Sequence, residues 1–241
     1  MPIYATKNTI LLQLPGEDRS RLLQDAEVVT LNQRATVYQA GQYADSILFI
    51  ESGMVSELIP MRDGRTADTC PMGRDGLAGM PSLLGQPSFH HCIVQIPGNA
   101  WRVSVRHVQE ISEGCTILHA MIDGVAHARF CQATQFAACN LLHPMDARLA
   151  RWLITAAFHA RTEVLNITQQ FVSEMLGANR STTSTALNAL QRKGIIQSER
   201  GAIRLVDPVR LRNVACECFE VVEATFGRLR SSAVVPQVRT G

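Results

Sequence analysis

The stretch from Thr168 to Leu205, TQQFVSEMLGANRSTTSTALNALQRKGIIQSERGAIRL, constrains the chain more than any other. Thr168 is a suitable N-cap for a helix that ends before Gly177, with Phe171, Val172, Met175 and Leu176 on one face. Gly177 supplies a tight turn. A second helix, about Arg180 to Lys193, buries Ala186, Leu187 and Leu190 while leaving Arg180, Ser181, Ser184, Thr185 and Asn188 free. Gly194 ends it, and the residues that follow read as two short strands around a turn at Arg200 and Gly201.

Helix, turn, helix and hairpin in that order form the plan of a winged helix-turn-helix, whose second helix enters the DNA major groove. Hydroxyls, amides and one Arg on the free face suit hydrogen bonds to base edges and phosphates. Charge agrees. Residues 1–142 hold 10 basic against 13 acidic side chains, residues 143–212 hold 10 against 5, and residues 213–241 hold 3 against 3. An anionic partner is therefore expected for the second segment alone. The competing reading is a helical hairpin used for protein contacts.

Upstream, a short helix is expected around Gly16 to Gln24, and alternating apolar residues from Val28 to Val105 read as an antiparallel β barrel or roll. From about Ser112 the period changes to that of a long helix. Steps of four and three mark a seam of Ile117, Met121, Gly124, Ala128, Cys131, Gln135, Ala138 and Leu142. That stripe is either packed on the chain's own β domain or a dimer seam. Pro144 breaks the helix and marks a candidate hinge. The expected domains are 1–111, a β-roll effector-like domain; 112–143, a dimerisation helix; and 144–241, a winged helix-turn-helix with a C-terminal helical extension.

No run of eighteen apolar residues is present, the N-terminus does not read as a signal peptide, and the seven cysteines have no repeated spacing. The chain is read as cytoplasmic, with buried thiols and without a membrane partner. It holds no GxSxG elbow, HExxH pair or GxxxxGK[ST] loop, and no enzyme is expected.

The segments HPMDARLARWL, TQQFVSEMLGANR, LQRKGII and RGAIRL resemble the CRP/FNR family of transcription regulators, and the resemblance runs from about Leu11 to Val206. ACECFEVVE, Ala215 to Glu223, is similar to an extension in one branch of that family. The resemblance implies an α+β fold of β-roll, long dimerisation helix and winged helix-turn-helix. It implies a homodimer on a pseudo-palindromic site in double-stranded DNA, one recognition helix per major groove, with RNA polymerase as a candidate partner. Arg180 keeps a basic residue that contacts DNA in some members. Ser181 and Thr185 replace an acidic residue and an Arg, so the best-known target sequence is not carried over. The expected DNA contacts are Arg180, Lys193 and Arg200 for phosphate or groove, and Ser181, Thr182, Ser184, Thr185 and Asn188 for readout.

GRDGLAGMPSLLG, Gly73 to Gly85, matches the loop that cradles a cyclic nucleotide in some members. Leu77 or Met80 stands where those members have a Glu, and His90 and His91 stand near the place of an Arg and a hydroxyl. A neutral His is a poor substitute for a bidentate Arg, so cyclic AMP is disfavoured. Gly76, Leu77, Gly79, Met80, His90 and His91 remain the candidate effector pocket, and the effector is unknown. The N-terminal cysteines that hold an iron–sulfur cluster in the oxygen-sensing branch are missing, since the first cysteine is Cys70. His90 and His91 read as one inward and one solvated side chain. Cys139 and His143 read as a structural thiol and a capping His. Cys216 and Cys218, on an expected helix, stand about 200° apart and would not share an ion. No metal centre is expected. An alternative function is a small-molecule sensor that acts through a protein partner, its DNA-binding end vestigial.

Overall fold

A computed structural model describes residues 4–231 of the chain. Two short helices, α1 (Thr9–Gln13) and α2 (Gly16–Leu23), precede strands β1 (Glu27–Leu31), β2 (Thr36–Tyr38), β3 (Ser46–Pro60), β4 (Thr66–Met72) and β5 (Leu77–Ala78). After α3 (Met80–Leu83), strand β6 (His91–Ser104) completes an antiparallel sheet ordered β1-β6-β3-β4, with β2 on β6 and β5 on β3. The long β3 is bent by register shifts between Ile50 and Val55, which let one strand serve both ends of the roll. Its alternation divides two cores. Leu48, Ile50 and Val55 face the roll interior, whereas Ile47 and Phe49 face the helices.

Helix α4 (Val105–Gly114) is followed by the long α5 (Thr116–Leu142). The expected domain boundary at 112 falls inside α4. The break comes at Cys115, which is extended and whose thiol accepts the Leu118 N–H at 3.4 Å as an N-cap. α5 stops where the proline requires it, with His143 at its C-cap and Pro144 opening α6 (Met145–Ala160).

The second unit continues with β7 (Val164–Leu165), α7 (Gln169–Met175), α8 (Arg180–Arg192), β8 (Ile196–Glu199) and β9 (Ala202–Leu205), then α9 (Pro208–Val214) and α10 (Cys218–Ser231). β7 adds to the hairpin to give a sheet ordered β7-β9-β8. One core joins this unit to the roll, since Met54 and Leu58 of β3 cluster with Trp152, Phe171, Val172 and Leu187. Among the described residues, no helix is long and apolar enough to cross a membrane.

The seam on α5 is partly covered within the protomer. Met121 and Ala128 are buried within the chain, and α10 runs back along the same face. Gly124 lies beneath Leu229, where an added Cβ would come within 2.5 Å of the Leu229 Cδ2. Gln135 donates to the Cys218 thiol at 3.1 Å. Ile117 and Cys131 are half-buried, and only Ala138 and Leu142 of the eight are exposed. The exposed stripe is the neighbouring register of Asp123, His127, Phe130, Thr134, Ala137 and Leu141. A one-residue offset turns a helix face by about 100°, and periodicity could not choose between two registers that each carry apolar and small residues.

Candidate nucleic-acid interface

The helix-turn-helix is built as its sequence demands. The Thr168 hydroxyl caps α7 by accepting the Phe171 N–H at 3.1 Å. Gly177 adopts φ +59°, a left-handed conformation that glycine takes without strain, and the chain turns there into α8. Thr183, Ala186, Leu187 and Leu190 anchor α8. Burial of each leucine contributes roughly 1.5–3 kcal/mol, and this anchoring frees the opposite face for contact.

That face carries Arg180, Ser181, Thr182, Thr185 and Asn188, all exposed. Ser181, Thr185 and Asn188 fall at i, i+4 and i+7, one stripe along the helix. The first turn of α8 holds no acidic residue, and Asn179 at its N-cap makes no side-chain capping bond. The positive end of the helix is therefore left for an anion, with Arg180 beside it. Thr185 also bonds its own turn, donating to the Ser181 carbonyl at 3.0 Å.

Ser184 is different from its neighbours. It is only half-exposed, and its hydroxyl donates to Gln169 Oε1 at 3.1 Å, tying α8 to α7. Gln169 in turn donates to the Ser198 hydroxyl at 3.2 Å, and Gln191 Oε1 accepts the Ser198 N–H at 2.8 Å. Gln169, Gln191 and Ser198 thus fix the hairpin against both helices. None of the three carries a local sequence signal, because residues 7 to 29 positions apart meet only through the packing of the hairpin on the helices. The hairpin turns at Arg200 and Gly201, with Glu199 paired to Ala202, and Arg200 is exposed at its tip. Lys193 is exposed at the C-cap of α8, about 20 Å along the helix from Arg180.

The residues of the expected effector pocket are buried or half-buried in the protomer. Leu77 and Met80 are buried in the core with Ile47 and Phe49, and Gly76 and Gly79 lie in the turns on either side of β5. The roll interior instead holds a polar cluster of its own. Glu57 is buried, pairs with Arg129 from α5 and accepts the Tyr38 hydroxyl. Burial alone would raise the Glu57 carboxyl, but Arg129 and Tyr38 outweigh it and hold it below the usual range. His90 points inward, 3.4 Å from Glu57, and burial pushes its ring below the ordinary His value. His91 is half-buried and accepts the Ala40 N–H at 3.4 Å. Cys70, pushed up to about 12 by burial, donates to Gln132 at 2.9 Å. Arg129 and Glu57 occupy the interior where a charged ligand would need free partners.

The glycine loop does border a different opening. A cleft of about 420 Å³ is lined by Arg74, Asp75, His159, Arg161 and Arg230. Two of its groups are already engaged, since Arg230 pairs with Asp75 at 3.2 Å.

The cysteines converge where separation was expected. Cys139 and His143, at the end of α5, meet Cys216 and Cys218, and the four ligand atoms lie within 4.8 Å of one another. The expected 200° separation fails because Cys216 lies outside α10, which begins at Cys218, so a helical wheel does not relate the two.

Comparison with known proteins agrees with this geometry. Residues 147–214 match the family described as the Crp-like helix-turn-helix domain. No curated protein matches by sequence. Among solved structures, the chain is similar to a transcriptional regulator of the CRP/FNR family from Eubacterium rectale, with 15% identity, a TM-score of 0.67, and coverage of 85% of this chain and 96% of that one. It is also similar to the c-di-GMP responsive global regulator CLP of Xanthomonas campestris, at 16% identity and TM-score 0.66, covering 79% and 99% of the two chains. FixK2 from Bradyrhizobium japonicum is 17% identical with TM-score 0.66, covering 79% and 98%. At such identities these structures establish the fold.

Proposed function

We propose that this chain, a CRP/FNR-like transcription regulator with a Crp-like helix-turn-helix DNA-binding domain at residues 147–214, is a homodimer that reads a pseudo-palindromic DNA site. The observation that carries the reading is the free face of α8, where an uncapped positive helix end, Arg180 and a stripe of Ser181, Thr185 and Asn188 are presented together. Thr182 joins that surface, and Arg200 extends it at the hairpin tip. Arg180, Arg200 and Lys193 supply phosphate contacts, and the hydroxyls and Asn188 supply base-edge contacts. Ser184 positions α8 rather than touching DNA.

Two such surfaces fit successive major grooves if the protomers pair through α5. The exposed Phe130 and Leu141 supply the apolar part of that pairing. Control by an effector or by redox state acts through the roll and the segments packed on it. RNA polymerase is the natural partner of a regulator bound near a promoter, and the cytoplasm is its place.

Genome-wide DNA enrichment followed by fluorescence anisotropy on the recovered fragments tests the proposal. Selective, competitor-resistant binding with a steep salt dependence is the expected outcome. Uniform weak binding to every fragment would sink it and leave the sensor acting through a protein partner.

A further inference from the structure

We infer that Cys139, His143, Cys216 and Cys218 form a tetrahedral zinc site that staples the end of α5 to the segment between α9 and α10. Three thiols and one imidazole make the Cys3His donor set of closed, structural zinc sites. Zinc–sulfur bonds of about 2.3 Å place the sulfurs of a tetrahedron about 3.8 Å apart. The Cys139 and Cys216 sulfurs are 3.5 Å apart, and His143 Nδ1 is 3.6 Å from the Cys218 sulfur. Contraction of about an ångström at the widest pair brings the whole set, within 4.8 Å, into bonding position.

The surroundings point to the same ligand. With Nδ1 toward the thiols, His143 Nε2 lies 3.3 Å from the Glu217 carboxylate. This is the carboxylate–histidine–metal arrangement that sets the tautomer and orients the ring. Three thiolates and Zn²⁺ leave one net negative charge. Arg148 and Arg151 stand in the first two turns of α6, and the Arg151 guanidinium lies 3.9 Å from the centre of the Phe136 ring, one turn before Cys139 on α5. Among the described residues, Arg148 Nε and the Arg151 Nε and Nη1 are buried without a hydrogen-bond partner. Buried cationic N–H groups so placed complement a thiolate-rich centre. Gln135 Nε2, 3.1 Å from the Cys218 sulfur, supplies a further N–H to the set.

An iron–sulfur cluster spreads its thiolates around several iron atoms and does not suit four ligand atoms this close. A Cys139–Cys216 disulfide would draw the sulfurs to about 2.05 Å and remove two of the four ligands. Zinc instead releases the thiol protons and bonds all four groups. The clamp spans Pro144, so it fixes α10 on α5 across the hinge into the DNA-binding unit. If the proposed DNA reading holds, metal loss or thiol oxidation weakens DNA binding by loosening that hinge.

The full-length protein, purified under reducing conditions, is tested by metal analysis and by cobalt titration of the chelated form. One zinc per chain is expected, and cobalt is expected to give intense visible ligand-field bands and a near-ultraviolet thiolate band. The C216S/C218S variant should fall to background zinc, while Cys131→Ser, outside the set, should keep its metal. Wild-type apoprotein titrated with cobalt reports on the site even if the double variant does not fold. Absence of zinc with a weak, octahedral cobalt spectrum overturns the site. So does an iron–sulfur spectrum, a Cys139–Cys216 disulfide in the reduced preparation, or a folded double variant that retains its zinc. Metal content is measured without DNA. A zinc-loaded protein that ignores DNA would therefore refute the regulator reading and leave the site standing.

Discussion

Arg180 and Asn188 stand on one helix yet are expected to fail differently when removed. Arg180 stands beside the positive end of α8, and on the proposed phosphate role Arg180→Ala should weaken binding about equally for all sequences. Its loss should also lower the magnitude of the salt slope by about two for the proposed dimer, one contact per protomer. Anisotropy titrations across a salt series measure both quantities, and an unchanged slope would remove Arg180 from the interface. Asn188 offers a paired donor and acceptor suited to a base edge. Asn188→Ala should cost about 1–3 kcal/mol on the cognate site, relax preference at one position per half-site, and leave non-specific affinity in place. Competition against single-base variants of the site distinguishes these cases. Ser184→Ala provides the contrast: its hydroxyl faces Gln169, so its effect should appear as reduced stability rather than altered base preference.

At the scale of elements, the two registers on α5 make opposite predictions. Phe130 and Leu141 are 68% and 85% exposed, whereas Met121 is 1% exposed. A F130E/L141E double substitution should yield a folded monomer by light scattering, with DNA affinity reduced because the second half-site is lost. Met121→Ala should instead destabilise the protomer by about 2–5 kcal/mol through a cavity, with dimerisation intact in the folded fraction. A folded F130E/L141E dimer would place the contact elsewhere. The helix boundaries themselves were legible without tertiary information. Thr168 caps α7, Gly177 turns, Gly194 ends the second helix and Pro144 stops α5, each through a local backbone preference. Cys115 was missed as a break because a thiol N-cap leaves little sequence signal.

For the whole molecule, the DNA-binding unit and the roll share a core with a polar centre at Asp68. Burial, the largest influence, raises the Asp68 carboxyl above its usual range, while Gln95 and Trp152 donate to Oδ2 at 3.0 and 3.4 Å. A raised folded pKa means that this group's contribution is fully present below the unfolded value of about 3.9. It is lost as pH rises through the folded value. Asp68→Asn keeps an acceptor for both donors without a charge. Its Tm should exceed that of the wild type at neutral pH by about 2–4 °C per kcal/mol recovered, and the gap should close in acid. Calorimetry over a pH series tests this, and a gap independent of pH would exclude the carboxylate as the cause.

The chain's local chemistry was enough to place the DNA-binding unit, because caps, turns and amphipathic spacing act within a few residues. Composition was enough to assign the anionic partner to that unit, since its basic excess lies in one segment. What α5 presents to solvent depended on α10, which lies about ninety residues downstream and covers Gly124 and Gln135. The same docking gathers Cys139, His143, Cys216 and Cys218 at one point. Spacing along the chain governs helices and turns, whereas the meeting of distant side chains is set by packing. Only the tertiary structure could decide the exposed register and the four-ligand cluster.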